Sequence, residues 1–463
     1  MTEKRSNSYE STIRYVYLLG IGGIGMSALA RYFNQNLKVF GYDRTETPLT
    51  KKLESEGIDI QYHDDLAIIP GEVYRNVAES LVIYTPAIPK SFSALKLLKE
   101  KGHRLMKRSE ILGIITKDKN CLAIAGTHGK TSTSSILAHI LHSTGHGCNA
   151  FIGGITANYQ SNLILSKSSN TFVVEADEFD RSFLALHPKM AVITSMDADH
   201  LDIYGEKEAL ENSFQDFANQ IDQNGLLLIH KSIVENIEFG GLTRSYSADD
   251  VEADIHAENM HIKDGAYHFD IRYPKGKIAD ITFHFPGKHN VENACAAVGI
   301  ALEQGVSEEE IRTALLSFKG VVRRFQTHVS GKNRIYIDDY AHHPAELTAT
   351  INSARALYPN KRLCGIFQPH LFSRTQDFAD EFALALDLLD EIILLPIYPA
   401  REEPIPGVDS QLILDKMKSE SKKTVQKNEL LYELKQVEAE VILTLGAGDI
   451  DQFVEPIAKA LNK

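Results

Sequence analysis

The sequence lacks several features that would point to particular classes of protein. Its 463 residues contain no tryptophan and only four cysteines, Cys121, Cys148, Cys295 and Cys364, none of them in CxxC spacing. Scattered cysteines are typical of reduced, buried thiols rather than of a disulfide framework or a zinc site. No apolar run is long enough to cross a bilayer, and the opening stretch MTEKRSNSYESTIR lacks the apolar core of a signal peptide. We therefore expect a cytoplasmic protein without stable membrane insertion.

An excess of positive charge is also missing. Asp and Glu outnumber Lys and Arg by 62 to 49, which gives a formal net charge of -13. This charge would repel a phosphate backbone, so the composition argues against nucleic-acid binding. Phosphorylated small molecules remain possible ligands because they need only a local positive pocket. The length and the hydrophobic content of 43% are sufficient for two to four globular domains.

A stretch from Asn120 to Ser135 combines a strand pattern, a turn of small residues and a helix pattern. The apolar run that ends at Ala125 predicts a buried strand, and the turn after it leads into a helix. Such a turn lets backbone N–H groups and the positive end of the helix converge on an anion. Lys130 adds a charge for the outer phosphates of a nucleotide, and the Thr131 hydroxyl suits Mg²⁺. The predicted phosphate site comprises Gly126, Thr127, His128, Gly129, Lys130, Thr131 and Ser132.

The phosphate loop departs from the usual pattern in one position. Nucleotide loops normally carry a glycine where this chain has Ile124. The alternative to a phosphate site is a glycine-rich turn that only links a strand to a helix. If Lys130 binds phosphate, we expect it to serve charge rather than packing, so that its loss would have little effect on the fold.

The N-terminal region carries a second glycine pattern. Gly20, Gly22 and Gly25 lie between a strand pattern and a helix pattern, and the next predicted strand ends in Asp43. This unit is typical of mononucleotide binding, in which the glycines admit a diphosphate and the acid lies near a ribose. Taken alone, it also fits a nicotinamide or flavin enzyme, or a structural turn with Asp43 as a cap. The loop after a further strand places Thr85 and Ala87 at the same crevice.

Carboxylates follow two predicted strands beyond the phosphate loop. The strand that begins at Thr171 ends at Glu175, and polar residues that include His200 follow the end of a later strand. Carboxylates at a strand tip near a nucleotide loop can hold Mg²⁺, and the repeated pattern favours His200 as a residue that faces the metal. For the acids that follow Glu175 we favour a solvated acidic turn. These acids are Asp177, Glu178 and Asp180.

The remaining patterns predict further α/β structure. Polar and apolar residues alternate in the segment from Leu226 to Pro286, which predicts antiparallel strands. A helix pattern follows, in which Asn290 is a candidate N-cap and Asn293 a candidate partner for adenine. From Arg334, four strand patterns with polar or glycine-rich tips predict a second doubly wound sheet. We place the domain boundaries so that the chain divides into 1–118, 119–322 and 323–463.

Eight motifs, in order along nearly the whole chain, resemble the Mur ligases of peptidoglycan synthesis. They are GIGGIGM at 20–26, GTHGKT at 126–131, EADE at 175–178, DADHLD at 197–202, HNVENA at 289–294, RRFQ at 323–326, DDYAHHP at 338–344 and FQPHLFSRT at 367–375. The resemblance is strongest to the branch that adds L-alanine to UDP-N-acetylmuramate. It implies ATP and Mg²⁺, with Mn²⁺ as a possible substitute. We further expect a monomer or homodimer, and the net charge argues against a nucleic-acid partner.

The resemblance also implies a fold and a set of roles. The fold has an N-terminal Rossmann-like domain for the UDP-sugar, a central P-loop domain for ATP and a C-terminal Rossmann-like domain for the amino acid. The implied catalytic residues are Lys130, Glu175, His200 and Arg324, and the implied metal ligands are Thr131, Glu175 and His200. ATP would further contact His289, Asn290, Asn293, Arg324 and Asp339. The UDP-sugar would contact Gly20, Gly22, Gly23, Gly25, Met26, Asp43, Thr85 and Ala87.

The amino acid would lie among Tyr340, His342, His370 and Arg374. Where many Mur relatives carry an arginine, this chain has Leu371, so the carboxylate of the amino acid would depend on Arg374. Two alternative activities remain open on the sequence. One is a murein tripeptide recycling ligase with the same ATP chemistry, and the other is an NAD-type dehydrogenase that uses the N-terminal glycine pattern. A non-catalytic UDP-sugar sensor that uses ATP as a switch is a third possibility.

Overall fold

The computed structural model describes residues 12–63, 66–89, 91–197, 207–331, 333–400 and 402–462. Within these ranges the strands form three sheets, of five, ten and six strands, and helices form many of the connections between the strands. The predicted α/β architecture with three sheets is therefore confirmed. None of the helices in these ranges is both long and apolar enough to cross a membrane.

The first sheet is parallel throughout, with strand order β3-β2-β1-β4-β5. Its strands are β1 (Tyr15–Leu19), β2 (Lys38–Tyr42), β3 (Asp59–Gln61), β4 (Ser80–Tyr84) and β5 (Arg104–Lys107). The helices are α1 (Ile24–Asn34), α2 (Pro48–Ser55), α3 (Gly71–Arg75), α4 (Ser93–Glu100) and α5 (Arg108–Thr116). The strand order reverses between β1 and β4, so the crevice for a ligand opens beyond the carboxyl ends of these two strands.

The second sheet has the order β15-β14-β13-β12-β11-β10-β6-β9-β7-β8. Its strands are β6 (Asn120–Ala125), β7 (Asn149–Thr156), β8 (Ser161–Ile164), β9 (Thr171–Glu175), β10 (Met190–Ile193), β11 (Leu226–His230), β12 (Leu242–Ser247), β13 (Ile255–Lys263), β14 (Ala266–Tyr273) and β15 (Gly276–Phe283). The helices are α6 (Lys130–Ser143), α7 (Lys207–Ala218), α8 (Lys288–Glu303) and α9 (Glu308–Ser317). The apolar strand β6 lies between β9 and β10 and is almost fully buried, as expected for a central parallel strand.

The prediction of antiparallel strands from Leu226 to Pro286 is wrong for the first part of that segment. β11 pairs in parallel with β10, β12 with β11, and β13 with β12. Alternation of polar and apolar residues indicates a strand but does not encode its direction. A two-residue turn joins β13 to β14, in which Asp264 and Gly265 both have positive φ, as in a type I′ hairpin.

The third sheet has the order β16-β17-β21-β18-β19-β20, and β16 is antiparallel to β17. Its strands are β16 (Gln326–Ser330), β17 (Ile335–Asp339), β18 (Leu363–Phe367), β19 (Glu391–Leu394), β20 (Lys422–Thr424) and β21 (Val441–Leu445). The helices are α10 (Pro344–Leu357), α11 (Phe372–Asp377), α12 (Ala379–Leu386), α13 (Ser410–Lys416), α14 (Leu430–Glu433) and α15 (Val454–Leu461). The four predicted strands are β17, β18, β19 and β21, and the two strands at the sheet edges were not predicted.

The chain divides into two compact units. One contains the residues up to Glu258 together with Ile271–Ile278 and Glu292–Ser317, and the other contains the rest. Within the first unit, a single core includes Leu18 and Ile83 of the first sheet and Ala123 of the second. The boundaries near residues 118 and 322 stay a prediction.

All four cysteines are buried and none forms a disulfide, as predicted. Burial raises the pKa of the Cys121, Cys148 and Cys364 thiols to about 12. At neutral pH these thiols are therefore protonated and weakly reactive, because the thiolate is the reactive form.

Candidate active site

The predicted phosphate loop joins β6 directly to α6. Its glycines adopt backbone conformations that other residues rarely take, with φ of +130° at Gly126 and +81° at Gly129. A Cβ atom at Gly126 would lie 2.0 Å from Oγ1 of Thr194, and one at Gly129 would lie 2.6 Å from Oδ1 of Asn293. Both positions therefore need glycine for conformation and for space.

Residues at the end of β10 hold this loop in place. The hydroxyl of Ser195 accepts a hydrogen bond from the His128 amide at 2.9 Å and lies 2.8 Å from the Thr127 hydroxyl. The Thr127 amide donates to the carbonyl of Ser195 at 3.1 Å, and the Thr194 hydroxyl donates to the carbonyl of His128. The sequence analysis did not identify Thr194 or Ser195. These hydrogen bonds connect the loop to the end of a neighbouring strand.

Lys130 begins α6 and turns its side chain back into the loop. Its Nζ donates to the carbonyls of Gly126 at 2.6 Å and Thr127 at 3.3 Å, and to Oε1 of Glu178 at 2.9 Å. Glu178 is fully buried, so its interpretation as part of a solvated turn is wrong. Burial lowers the pKa of Lys130, but the carboxylates of Glu178, Asp177 and Glu175 more than offset this effect and raise it. The lysine is thus a fixed positive charge at the loop.

Thr131 and Glu175, two of the predicted metal ligands, are in direct contact. The Thr131 hydroxyl lies 3.0 Å from both carboxylate oxygens of Glu175, and the amide of Gly153 donates to Oε2 at 2.8 Å. Hydroxyl and carboxylate oxygens are the hard donors that Mg²⁺ prefers, so this pair fits the cation. The third predicted ligand, His200, lies outside the described residues. Within the ranges that the structure describes, no group of three His, Cys, Asp or Glu side chains forms a closed metal site.

The other two acids after β9 form ion pairs with α5 and the residue before it. Asp177 accepts from Arg108 at 3.1 Å and Asp180 from Lys107 at 2.9 Å. Both carboxylates keep about a third of their side chain exposed, so the prediction of a solvated turn is right about exposure but misses the partners. Arg108 also reaches the glycine turn of the first sheet, since a Cβ at Gly25 would lie 2.6 Å from its Nη1.

The predicted UDP-sugar residues gather at the carboxyl ends of β1, β2 and β4. Gly20 has φ of +83°, and a Cβ there would lie 2.6 Å from Cγ2 of Thr85. The Asp43 carboxylate accepts from the amides of Gly22 at 2.8 Å and Thr45 at 3.1 Å, so it braces the glycine turn. Gly23 precedes α1 as its N-cap, Gly25 lies in its first turn and Ala87 is exposed in the loop after β4.

One member of this predicted set is not at the surface. Met26 is 2% exposed and belongs to the hydrophobic core. A contact between its side chain and the UDP-sugar is therefore not supported, and Met26 instead anchors α1 beneath the glycine turn. The methionine was assigned because it ends the GIGGIGM motif, and a motif does not reveal which way a side chain points.

The predicted adenine residues lie at the start of α8. Asn293 meets the phosphate loop: its Oδ1 faces Gly129 and accepts from the Thr133 hydroxyl at 3.2 Å. Asn290 does not cap the helix, which begins at Lys288. The Asn290 amide group instead donates to the carbonyl of Pro286, and the residue is buried. His289 precedes it in the first turn of the same helix.

In the second compact unit, Asp339 and Arg324 surround the loop after β17. The buried Asp339 carboxylate accepts from the amides of Phe325 at 2.6 Å and Ala341 at 2.8 Å, and burial raises its pKa to about 6. The guanidinium carbon of Arg324 lies 5.2 Å from the centroid of the Tyr340 ring. Asp339 thus organises the loop that carries Tyr340.

The four residues predicted to receive the amino acid come together in this unit. The ring of His342 lies 5.3 Å from that of Tyr340 and 5.8 Å from that of His370. Arg374, in α11, is close enough for its charge to lower the pKa of His342. Tyr398, which the sequence analysis missed, stacks on His370 at 5.7 Å. Its carbonyl accepts from the amide of Leu371, whose φ is +70°.

Comparison with known protein families gives three matches along the chain. Residues 15–120 match the Mur ligase family, catalytic domain, residues 124–301 the Mur ligase middle domain, and residues 323–448 the Mur ligase, glutamate ligase domain. The UDP-N-acetylmuramate–L-alanine ligase of Flavobacterium psychrophilum is 51% identical over 453 residues, which span 97% of this chain and 99% of the relative. The protein of the same name from Parabacteroides distasonis is 50% identical over 451 residues, 97% of each chain.

Solved structures resemble the whole fold. The UDP-N-acetylmuramate-alanine ligase MurC of Thermotoga maritima aligns with a TM-score of 0.80 and 26% identity, over 96% of this chain and 99% of that one. A murein peptide ligase of Psychrobacter arcticus aligns with a TM-score of 0.71 and 22% identity, over 97% and 99% of the two chains, a likeness of fold alone.

Proposed function

The chain belongs to the Mur ligase family, and from this membership we propose that it uses ATP to join L-alanine to the lactyl carboxylate of UDP-N-acetylmuramate. Relatives that share about half of its residues over nearly its whole length are named for this reaction. The observation that carries the proposal is the arrangement at the end of β6, where Lys130 and the Thr131–Glu175 pair flank one glycine loop. A loop of this kind binds phosphate through its amides and helix end.

ATP is needed because a carboxylate does not react with an amine at neutral pH. The carbon is electron-rich, and oxide is not a leaving group. Transfer of the γ-phosphoryl group to a carboxylate oxygen gives an acyl phosphate, which the α-amine of alanine attacks with release of inorganic phosphate. Lys130 and the loop amides neutralise charge on the transferred group, in line with the electrostatic character of phosphoryl transfer.

Thr131 and Glu175 are the described residues that would hold Mg²⁺, and the ion would supply positive charge to the phosphate oxygens of ATP. Mn²⁺ would suit the same oxygen donors. His200 stays a predicted further ligand. In the second unit, Arg374 would bind the carboxylate of the amino acid, and Tyr340, His342 and His370 would line its pocket.

Phosphate release tests the proposal and its rivals together. The purified protein is supplied with ATP, Mg²⁺ and UDP-N-acetylmuramate, and each amino acid or the murein tripeptide is added in turn. We expect release with L-alanine and a far slower response to the tripeptide, and no change in NADH fluorescence on adding the protein. Faster release with the tripeptide would support the recycling ligase, and a folded protein that releases no phosphate with alanine would overturn the proposal. A cytoplasmic location and a monomeric or homodimeric state stay predictions.

A further inference from the structure

The side chain of His342 is held through one ring nitrogen. Its Nδ1 lies 3.0 Å from the carbonyl oxygen of Tyr340 and 3.3 Å from Oε2 of Glu346. A carbonyl and a carboxylate both accept hydrogen bonds, so Nδ1 carries the proton and Nε2 holds the lone pair of the neutral ring. No residue in the described ranges forms a hydrogen bond with Nε2. About one-fifth of the His342 side chain is exposed.

Burial and the nearby charges keep the His342 ring neutral at neutral pH. Burial lowers its pKa, and the positive charges of Arg374 and Arg324 act in the same direction. The carboxylate of Glu346 and the carbonyl of Tyr340 act in the opposite direction, and the ring of His370 faces it from a neighbouring loop. A neutral imidazole with a carboxylate behind it is a general base, as in other enzymes where an acid orients a histidine.

We propose that His342 is the base that removes a proton from the α-ammonium group of the incoming amino acid, and that Glu346 positions it. The proposal rests on the proposed function, since it concerns the amine that captures the activated acid. An amino acid enters as a zwitterion and needs a cation for its carboxylate and an acceptor for its ammonium group. Arg374, whose charge acts on His342, and Nε2 of His342 provide this pair.

One proton of the ammonium group moves to Nε2 of His342, which leaves a lone pair on the amine nitrogen. This nitrogen forms a bond to the carbonyl carbon of the acyl phosphate, and the bond between that carbon and the bridging oxygen breaks. Inorganic phosphate leaves with the electron pair and takes the second proton from nitrogen, so the products are the amide, hydrogen phosphate and a protonated His342.

Glu346 also has a structural role, and the test must separate this role from its electrostatic effect on His342. It is the third residue of α10 and accepts from the amides of His342 at 3.0 Å and His343 at 3.3 Å, as part of a capping box. Glu346→Gln keeps an oxygen that accepts these bonds and removes the negative charge. The helix cap is therefore kept. Because Oε1 of Glu346 also lies 3.8 Å from Nη1 of Arg324, the shift of the pH profile, and not the fall in kcat alone, reports the effect of the charge on His342.

The experiment compares two nucleophiles in the His342→Asn variant of the full chain. Hydroxylamine is largely unprotonated at neutral pH, so it attacks an acyl phosphate without help from a base and gives a hydroxamate. With ATP, Mg²⁺ and UDP-N-acetylmuramate, we expect the variant to lose about 100-fold or more of its L-alanine ligation while it still forms hydroxamate. In Glu346→Gln we expect kcat with alanine to fall and the acid limb of its pH profile to move to lower pH, with the unfolding midpoint preserved.

Parallel loss of both reactions in His342→Asn, or full retention of alanine ligation, would overturn the role of His342. An unshifted pH profile in Glu346→Gln would overturn the role of Glu346. If the wild-type protein makes neither hydroxamate nor alanine adduct, the proposed function itself fails. These outcomes are distinguishable because the wild-type protein is measured with both nucleophiles first.

Discussion

Nζ of Lys130 lies 2.8 Å from Oε2 of Glu178, a carboxylate that is completely enclosed by the protein. The lysine that begins the phosphate-loop helix is therefore also the counter-charge of a buried acid. From the sequence, we expect Lys130 to provide charge at the site and its loss to have little effect on the fold. The buried pair with Glu178 contradicts the second of these expectations. A buried ion pair is costly to break from one side, because the remaining charge is left without a partner.

Replacement of Lys130 by alanine should therefore have two effects. We expect Lys130→Ala to abolish phosphate release, and to lower the free energy of unfolding by about 3 to 5 kcal/mol because the buried carboxylate of Glu178 loses the positive charge of Lys130. The double variant Lys130→Ala with Glu178→Gln should recover much of the stability but none of the activity. Denaturant unfolding and phosphate release measure the two effects, and a single variant as stable as wild type would contradict the importance of the pair.

Glu175→Gln should raise the Mg²⁺ concentration needed for half-maximal activity by about tenfold or more. Mutation of residues that orient metal ligands typically weakens metal binding by a factor of this size. The amide can still accept from Gly153 and Thr131, so we expect the fold to persist while the charge is lost. Asp180→Asn is the matched control, because Asp180 follows the same strand but pairs with Lys107. If the Mg²⁺ concentration for half-maximal activity changes equally in both variants, Glu175 is not a metal ligand.

Gly126→Ala should damage both stability and turnover, since its Cβ would lie 2.0 Å from Oγ1 of Thr194. Gly57 provides a control with positive φ of +90° and nothing within 4 Å of its Cβ position. We expect Gly57→Ala to cost about 1 to 2 kcal/mol, the conformational penalty alone, with activity unchanged. Gly126→Ala should cost clearly more, and equal effects in unfolding and phosphate-release assays would argue against a crowded loop.

The stability of the first unit should depend on pH through His139. This buried ring in α6 contacts the Tyr159 hydroxyl at 2.8 Å through Nδ1, and the carbonyl of Ala314 at 3.1 Å and the hydroxyl of Ser317 at 2.9 Å through Nε2. Burial lowers the pKa of His139 to about 4, below its ordinary value. Between these two pKa values, His139 is therefore protonated in the unfolded state and neutral in the folded state.

The sign of this dependence follows from linkage. The contribution of His139 is fully present above the unfolded pKa of about 6.5 and is lost as the pH falls to about 4, with a total of about 3 kcal/mol. We expect the difference in unfolding free energy between wild type and His139→Gln to shrink over this interval. Urea unfolding between pH 7 and pH 4 measures it, and a difference that does not change with pH would contradict a neutral buried His139.

The central strand and its loop were predictable because their signals are local. The apolar run of β6 and the glycines before Lys130 are adjacent in sequence, and a parallel strand followed by a small-residue turn has few alternative structures. The same holds for the glycine turn after β1. The clustering of the four predicted amino-acid-binding residues came from the family resemblance, since the loop that carries Tyr340 and His342 is distant in sequence from His370 and Arg374.

The partners of the site were not predictable from local pattern. Glu178 lies 48 positions from Lys130, and a carboxylate after a strand looks the same whether it is solvated or folds back onto a lysine. Thr194 and Ser195 are small polar residues at a strand end, a common context without a distinct signal. The edge strand β16 is mostly polar and β20 has only three residues, so neither shows the apolar alternation that identifies a strand.

Formation of an acyl phosphate at the lactyl carboxylate is the central step of the proposed reaction. UDP-N-acetylmuramate labelled with ¹⁸O in that carboxylate is incubated with the protein, ATP, Mg²⁺ and L-alanine, and the released phosphate is analysed by mass spectrometry. We predict that each released phosphate carries one oxygen from the labelled carboxylate. Released phosphate without the label, alongside alanine adduct formation, would contradict the account.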